Sequence, residues 1–215
     1  MFVWFASGNA HKKQELAAVL AAEAPGIDVK IPPDAGIPFD PDETGSTFME
    51  NALIKARELY RLTSGRSAAP VIADDSGLCV DALGGRPGIY SARYGADQGR
   101  KLDAAERNAL LLEELGDNPN RAARFVCAMV LLYSQDRFFL VQETLEGEVV
   151  GSMDDARGQG GFGFDPVLCI PSLGRTVAEL SAEEKNRISH RGKAGKLIAE
   201  LIRSNFVRTE HRSRT

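Results

Sequence analysis

Two adjacent carboxylates, Asp74 and Asp75, stand where the apolar run "VIA" gives way to "SGLCVDALGG". Acids at a strand end call for cations, and the chain supplies them at two expected helix starts. In "SGNAHKK", Lys12 and Lys13 fall in a first helical turn, where positive charge opposes the helix dipole. An anion bound to the exposed backbone N–H groups there would relieve the conflict, as in a phosphate site. Lysines pointing into water are the plainer alternative. In "SHRGKAGK", His190, Arg191 and Lys193 crowd a second helix start, with Lys185 just upstream. Two such starts in one acidic chain fit a polyphosphate held from two sides.

A polyphosphate beside strand-end acids calls for a divalent metal, and Mg²⁺ is commonly held by one or two carboxylates plus substrate phosphates. Successive strand residues face opposite ways, so Asp74 and Asp75 should not share one job and only one should face the site. Glu43, in "DPDETGSTF", is a candidate second carboxylate. Without the basic clusters, Asp74 beside Ser76 and Gly77 would read as a turn-former. In "GGFGFDP", Phe162 or Phe164 could stack on a base, and the glycines permit close backbone approach. An ionised Asp165 accepts hydrogen bonds and cannot donate, which favours a purine carrying hydrogen on N1, such as hypoxanthine, over adenine. The alternative is a glycine loop packing its phenylalanines into the core.

The elements that must position these residues alternate between strand and helix. Residues 2–6 read as a buried strand, and 10–24 as a helix with Leu16, Val19 and Leu20 on one face, ended by "PG". "IDVKI" is a second strand, followed by the long loop "PPDAGIPFDPDETGS", a length that points to function rather than idleness. Thr47 and Glu50 form a capping-box signature for the next helix. A short strand at Val71 leads into the acids. Residues 104–115 read as a helix, 124–133 and 138–150 as a hairpin-like strand pair, "VLCI" as a short strand and 193–206 as a final helix. The expected organisation is one domain over residues 1–206, with a basic, disordered tail at 207–215.

With 215 residues the chain can bury a substantial core in one domain or two closely packed lobes. Its apolar fraction of 43% and charged fraction of 26% are those of an ordinary globular protein. The net charge of −4 supplies no basic field for duplex nucleic acid, so no nucleic-acid partner is expected. Cys79, Cys127 and Cys169 are odd in number and widely spaced, which fits reduced thiols rather than disulfides or a metal pair. "MFVWFASGN" lacks the features of a signal peptide, and "FVCAMVLLY" is far short of the roughly 20 residues that span a bilayer. No membrane partner and a cytoplasmic location are the resulting expectations.

Five segments, "SGNAHKKQEL", "DETGSTFMENALIKA", "ADDSGLCVDALGGRPGIYSARYG", "GGFGFDPV" and "AELSAEEKNRISHRGKA", occur in one order between Ser7 and Ala194. In that register the chain resembles the inosine triphosphate pyrophosphatase-like family, also called Ham1-like or dITP/XTP pyrophosphatases. The resemblance implies an α/β fold with an elongated mixed central sheet flanked by helices, two lobes with an active-site cleft between them, and a homodimer. It implies Mg²⁺-dependent hydrolysis of ITP, dITP or XTP to the nucleoside monophosphate and pyrophosphate, protecting the nucleotide pool from deaminated purines.

Carried over by position, the resemblance makes Asp75 the proton acceptor and a metal contact, with Glu43 as the other metal carboxylate. Ser7, Gly8, Asn9, Ala10, His11 and Lys12 become the phosphate segment, and Ser76 a substrate contact. Phe162, Gly163, Phe164 and Asp165 become the base-recognition loop, with Lys185, His190 and Arg191 as further substrate contacts. Water would attack the α-phosphorus while pyrophosphate leaves, its charge neutralised by metal, Lys12, Lys185 and Arg191. A carboxylate bound tightly to Mg²⁺ is a poor base, so the two roles of Asp75 compete. Ser7 stands where many members carry Thr, and Phe164 where many carry Tyr. The same residues would also serve a pyrophosphatase for modified pyrimidine or standard nucleotides, or a nucleotide sensor without turnover.

Overall fold

Strand β1 (Phe2–Phe5) buries Val3, Trp4 and Phe5 and runs through Ser7 and Gly8 into helix α1 (Ala10–Glu23). The computed structural model describes residues 1–65, 67–96, 99 and 101–212, with side chains described as far as Asn205. α1 presents Leu16, Val19 and Leu20 to the core, the face that the sequence periodicity marks. Strand β2 (Asp28–Lys30) lies parallel to β1, pairing Phe2 with Asp28 and Trp4 with Lys30. The long loop that follows ends in helix α2 (Phe48–Thr63), capped as expected by the reciprocal Thr47 and Glu50 bonds.

Strand β3 (Val71–Val80) pairs in parallel with β1 and is much longer than the short strand expected at Val71. The sequence reading stopped it at the two aspartates, since buried charge normally ends a strand. Here lysine and arginine partners neutralise both acids, and the strand continues through them. Gly77 lies inside it because a side chain would not fit: an added Cβ would stand 2.3 Å from the Gly88 carbonyl oxygen.

Helix α3 (Ala104–Leu115) coincides with its expected span. Strands β4 (Ala122–Ser134) and β5 (Arg137–Val149) are close to the expected pair, followed by β6 (Leu168–Ile170) and a two-residue β7 (Arg175–Thr176), which the sequence reading missed. Helix α4 (Ala182–Ile188) was also missed, although Ser181 and Glu184 form a capping box with an S-x-x-E signature. Helix α5 (His190–Arg212) starts earlier and ends later than residues 193–206, crossing the first part of the stretch expected as a tail; residues 213–215 lie outside the described residues.

The seven strands form one mixed sheet in the order β2-β1-β3-β4-β5-β6-β7, parallel where β1 meets β2 and β3 and antiparallel along β5-β6-β7. The chain divides into two compact units: Met1–Asp75, Cys127–Glu143 and Arg191–Thr215 make the first, Ser76–Val126 and Thr144–His190 the second. The first has a core of Phe5, Leu16, Leu20, Ile72, Met129, Leu131, Ile198 and Ile202. α5 comes close to α1 there, because Gly195 leaves room for Val19: a Cβ would stand 3.1 Å from the valine Cγ1. The second unit packs Leu78, Val80, Leu111, Phe125, Val167 and Leu168 together. Cys79, Cys127 and Cys169 are unpaired thiols. Among the described residues, no helix is long and apolar enough to cross a membrane.

Candidate active site

The first unit gathers the acids and most of the cations. Asn9 caps α1, its Oδ1 accepting from the backbone N–H of His11 at 2.9 Å and of Lys12 at 3.2 Å, while Ser7 Oγ accepts from Asn9 N–H at 3.1 Å. Gly8, Asn9, Ala10 and His11 are exposed. Neither lysine of this turn simply points into water. Lys12 Nζ donates to Asp74 Oδ1 at 3.0 Å, and Lys13 Nζ to Asp34 Oδ2 at 2.7 Å. The unfavourable placement of both lysines at a helix start is thus offset by two carboxylates from other elements.

The two aspartates of β3 face opposite ways, as strand alternation requires. Asp74 is 1% exposed and accepts from Lys12, from Arg191 Nε at 3.1 Å and weakly from Cys127 Sγ at 3.9 Å. Burial pushes its carboxyl up, but Lys12, Arg191 and Lys55 together outweigh burial and hold it well below the usual carboxylate range. Arg191 is also 1% exposed, and its guanidinium bridges Asp74 to Glu15 of α1. Burial works against its charge, while Asp74 and Glu15 raise its pKa further. Expected as a substrate contact, Arg191 lies buried against Asp74, the acid that also holds Lys12. Cys127 is pushed up to about 12 by burial and the adjoining Asp74, so its thiol stays protonated.

Asp75 points toward α2 instead. Lys55 Nζ donates to Asp75 Oδ1 and to Glu43 Oε1, each at 2.8 Å, and Asn51 Nδ2 lies 3.4 Å from Asp75 Oδ2. Burial lowers the Lys55 pKa, but Asp75 and Asp74 overcome it and keep the ammonium above the ordinary lysine range. Burial raises the Asp75 carboxyl against the pull of Lys55. Lys55 and Asn51 were missed by the sequence reading. The signal was present: both fall on the buried stripe of α2 with Ala52, Ala56 and Leu59, and a lysine on such a stripe requires a buried partner.

Glu43 and Asp75 come from different segments and converge on one cation. Their oxygens are the hard donors Mg²⁺ takes, and two carboxylates completed by substrate phosphates is its usual arrangement. Among the described residues, no group of three or more His, Cys, Asp or Glu could enclose a metal.

The second unit holds the loop before β6. Asp165 is 3% exposed, and its Oδ2 accepts from Lys185 Nζ at 2.8 Å and from Phe162 N–H at 2.7 Å. Gly161 must be glycine here, with φ +73° and an added Cβ only 1.9 Å from Asp165 Oδ2. The loop's two phenylalanines separate. Phe164 is buried edge-on to Tyr94 at 6.2 Å, whereas Phe162 is half-buried with Lys185 Nζ 5.0 Å from its ring centroid. Phe162 is thus the less buried of the two rings, and Phe164 anchors the loop. Asn108 Nδ2, from α3, donates to the Gly163 carbonyl at 3.2 Å, a contact between residues 55 positions apart that no local signal announces. His190 is buried and stacks on Phe125 at 4.9 Å, and Ser76 of β3 is half-buried.

The chain is similar to known proteins over nearly its whole length. The sequence profile of the Ham1 family matches residues 3–201. A dITP/XTP pyrophosphatase of Treponema denticola is 47% identical over 205 residues, covering 95% of this chain and 100% of that protein. The dITP/XTP pyrophosphatase of Escherichia coli is 45% identical over 208 residues, covering 94% and 98%. Among solved structures, a HAM1 protein from Coxiella burnetii superposes with a TM-score of 0.82 at 36% identity, covering 95% of this chain and 99% of that one. Profile, sequence and structure agree over nearly the full length, and the chain belongs to the Ham1 family.

Proposed function

We propose that the protein hydrolyses the triphosphates of deaminated purines, dITP, ITP and XTP, to the monophosphate and pyrophosphate. The observation that carries this reading is the convergence of Glu43 and Asp75 on one cation, in a chain similar over almost its whole length to dITP/XTP pyrophosphatases. Glu43 and Asp75 would hold Mg²⁺ together with phosphate oxygens; when bound, it supplies charge neutralisation and orients the α-phosphate. Asp75 accepts the proton of the attacking water. The start of α1, exposed from Gly8 to His11, would bring the positive end of the helix and the Lys12 ammonium to the phosphates. Asp74 and Arg191 fix that ammonium in place.

Base choice is assigned to Phe162, Lys185 and Asp165. Phe162 stacks on the base. Lys185, held beside that ring by Asp165, donates toward a 6-oxo group, and adenine offers a 6-amino donor at that position instead. A homodimer and a cytoplasmic location are part of the same proposal, the first checked by light scattering on the purified chain and the second by fractionation.

The test is pyrophosphate release from dITP, ITP, XTP, GTP, ATP, dTTP and UTP, with and without Mg²⁺, with the products identified. Cleavage of the 6-oxo deaminated purines to monophosphates, far faster than the others and only with metal, is expected. Tight binding without turnover, or preference for a pyrimidine or a standard purine, refutes the proposal.

A further inference from the structure

Lys55 lies between the two carboxylates assigned to the metal. Its Nζ is 2.8 Å from an oxygen of each, so those oxygens stand no farther apart than twice that distance, with an ammonium between them. It is 7% exposed and projects from the middle of a capped helix, on a face it shares with Ala52, Ala56 and Leu59. Swinging the ammonium out to water would mean drawing its stem out of that packing. Together Lys55, Glu43 and Asp75 carry one net negative charge rather than two. Mg²⁺ dehydrates reluctantly, and a two-carboxylate site already neutralised by half gives it little reason to do so.

We infer that Lys55 is a resident counter-cation that prevents Glu43 and Asp75 from retaining a divalent metal until a polyanionic substrate arrives. The triphosphate changes the balance in two ways. It adds negative charge beside the pair, and it offers the ammonium oxygens other than those of the carboxylates. Metal would therefore enter together with nucleotide, and the nucleotide-free protein would hold neither. This rests on the reading of Glu43 and Asp75 as metal ligands.

The experiment is Mn²⁺ binding to the nucleotide-free full chain, followed by electron paramagnetic resonance and calorimetry. Wild-type protein is expected to bind only in the millimolar range. Lys55→Met, close in length and uncharged, should bind at least about tenfold tighter, because the repulsion between an ammonium and a dication a few ångströms apart far exceeds that floor. Lys55→Arg should behave like wild type, and adding Asp75→Asn to Lys55→Met should abolish the gain. Unchanged affinity in Lys55→Met, measured on folded protein, overturns the inference. If that variant does not fold, Lys55→Gln is measured in its place. The wild type alone also decides: micromolar Mn²⁺ binding without nucleotide that is lost in Glu43→Gln overturns the inference. Separately, Glu43→Gln and Asp75→Asn are tested for Mn²⁺ uptake with a non-hydrolysable ITP analogue present. No effect there means the assignment of the ligands has failed; an effect there with no gain in Lys55→Met means only the counter-cation inference has failed.

Discussion

Replacing Asp74 by Asn removes one charge from a buried network and leaves two cations behind. Arg191, 1% exposed, would keep Glu15 but lose its charged partner on β3, and Lys12 would lose the carboxylate that holds its ammonium. Breaking a buried ion pair from one side typically costs about 3–5 kcal/mol. The lower end applies here, because Glu15 still compensates Arg191 and the Asn oxygen can accept one hydrogen bond; the expected loss is roughly 3 kcal/mol. For a chain of this size that lowers Tm by roughly 6–12 °C. Urea unfolding followed by far-UV circular dichroism and by fluorescence measures it, and Trp4, the single tryptophan, is buried in the same unit. The pH dependence gives an independent check. Asp74 has a folded pKa below its ordinary value of 3.8, so its stabilisation is complete above that value and is lost as pH falls through the lower folded one. The gap between wild type and variant should stay constant from neutrality down to near pH 5, then narrow as acid protonates the wild-type carboxylate. A loss below about 1 kcal/mol, or a gap that narrows on the alkaline side instead, would refute the reasoning that Asp74 is the keystone of the charge network.

Asp75→Asn should lower kcat by at least about a hundredfold, the usual range for removal of a proton acceptor, with the circular dichroism spectrum unchanged; near wild-type turnover in the folded variant would remove Asp75 from the chemistry. Lys185→Met should reduce the kcat/KM preference for ITP over ATP by at least about tenfold, since each lost or mismatched polar contact is worth 1–3 kcal/mol. An unchanged ratio in steady-state assays would mean that another group reads the 6-position. Gly161→Ala combines a positive φ with a Cβ driven into Asp165, so it should cost about 1–3 kcal/mol in thermal unfolding and weaken base discrimination along with it; a neutral effect on both would show that the loop does not depend on this turn.

The sequence made the elements around the site largely legible, because their signals are local. Thr47 with Glu50 marks the start of α2, and the Leu16, Val19 and Leu20 stripe marks α1. What failed were features decided by contacts between distant residues. β3 could not be followed past Asp74, since nothing within a few residues reveals that Lys12, 62 positions away, and Arg191, 117 away, neutralise that acid. β7 is two residues long and exists as the partner of β6, so it has no periodicity of its own.

The site shows the same division more sharply. Residue types announced the cations and acids, and alternation along the strand separated the two aspartates, but which cation serves which acid depended on burial. Arg191 stood out as one of several cations crowding a helix start; its burial between Glu15 and Asp74, where α5 comes close to α1 at Gly195, was not legible there. Lys55 escaped notice for the opposite reason, appearing as one more charged residue on a helix. Yet Asn51 and Lys55 share the stripe that buries Ala52, Ala56 and Leu59, and polar side chains on such a stripe are tolerated only with partners of their own. Read in that way, α2 already requires at least one buried acid opposite its middle turn. Asp75 satisfies that requirement, and Glu43 joins it on the same ammonium, so the acid that α2 calls for comes with a second carboxylate from the loop before that helix.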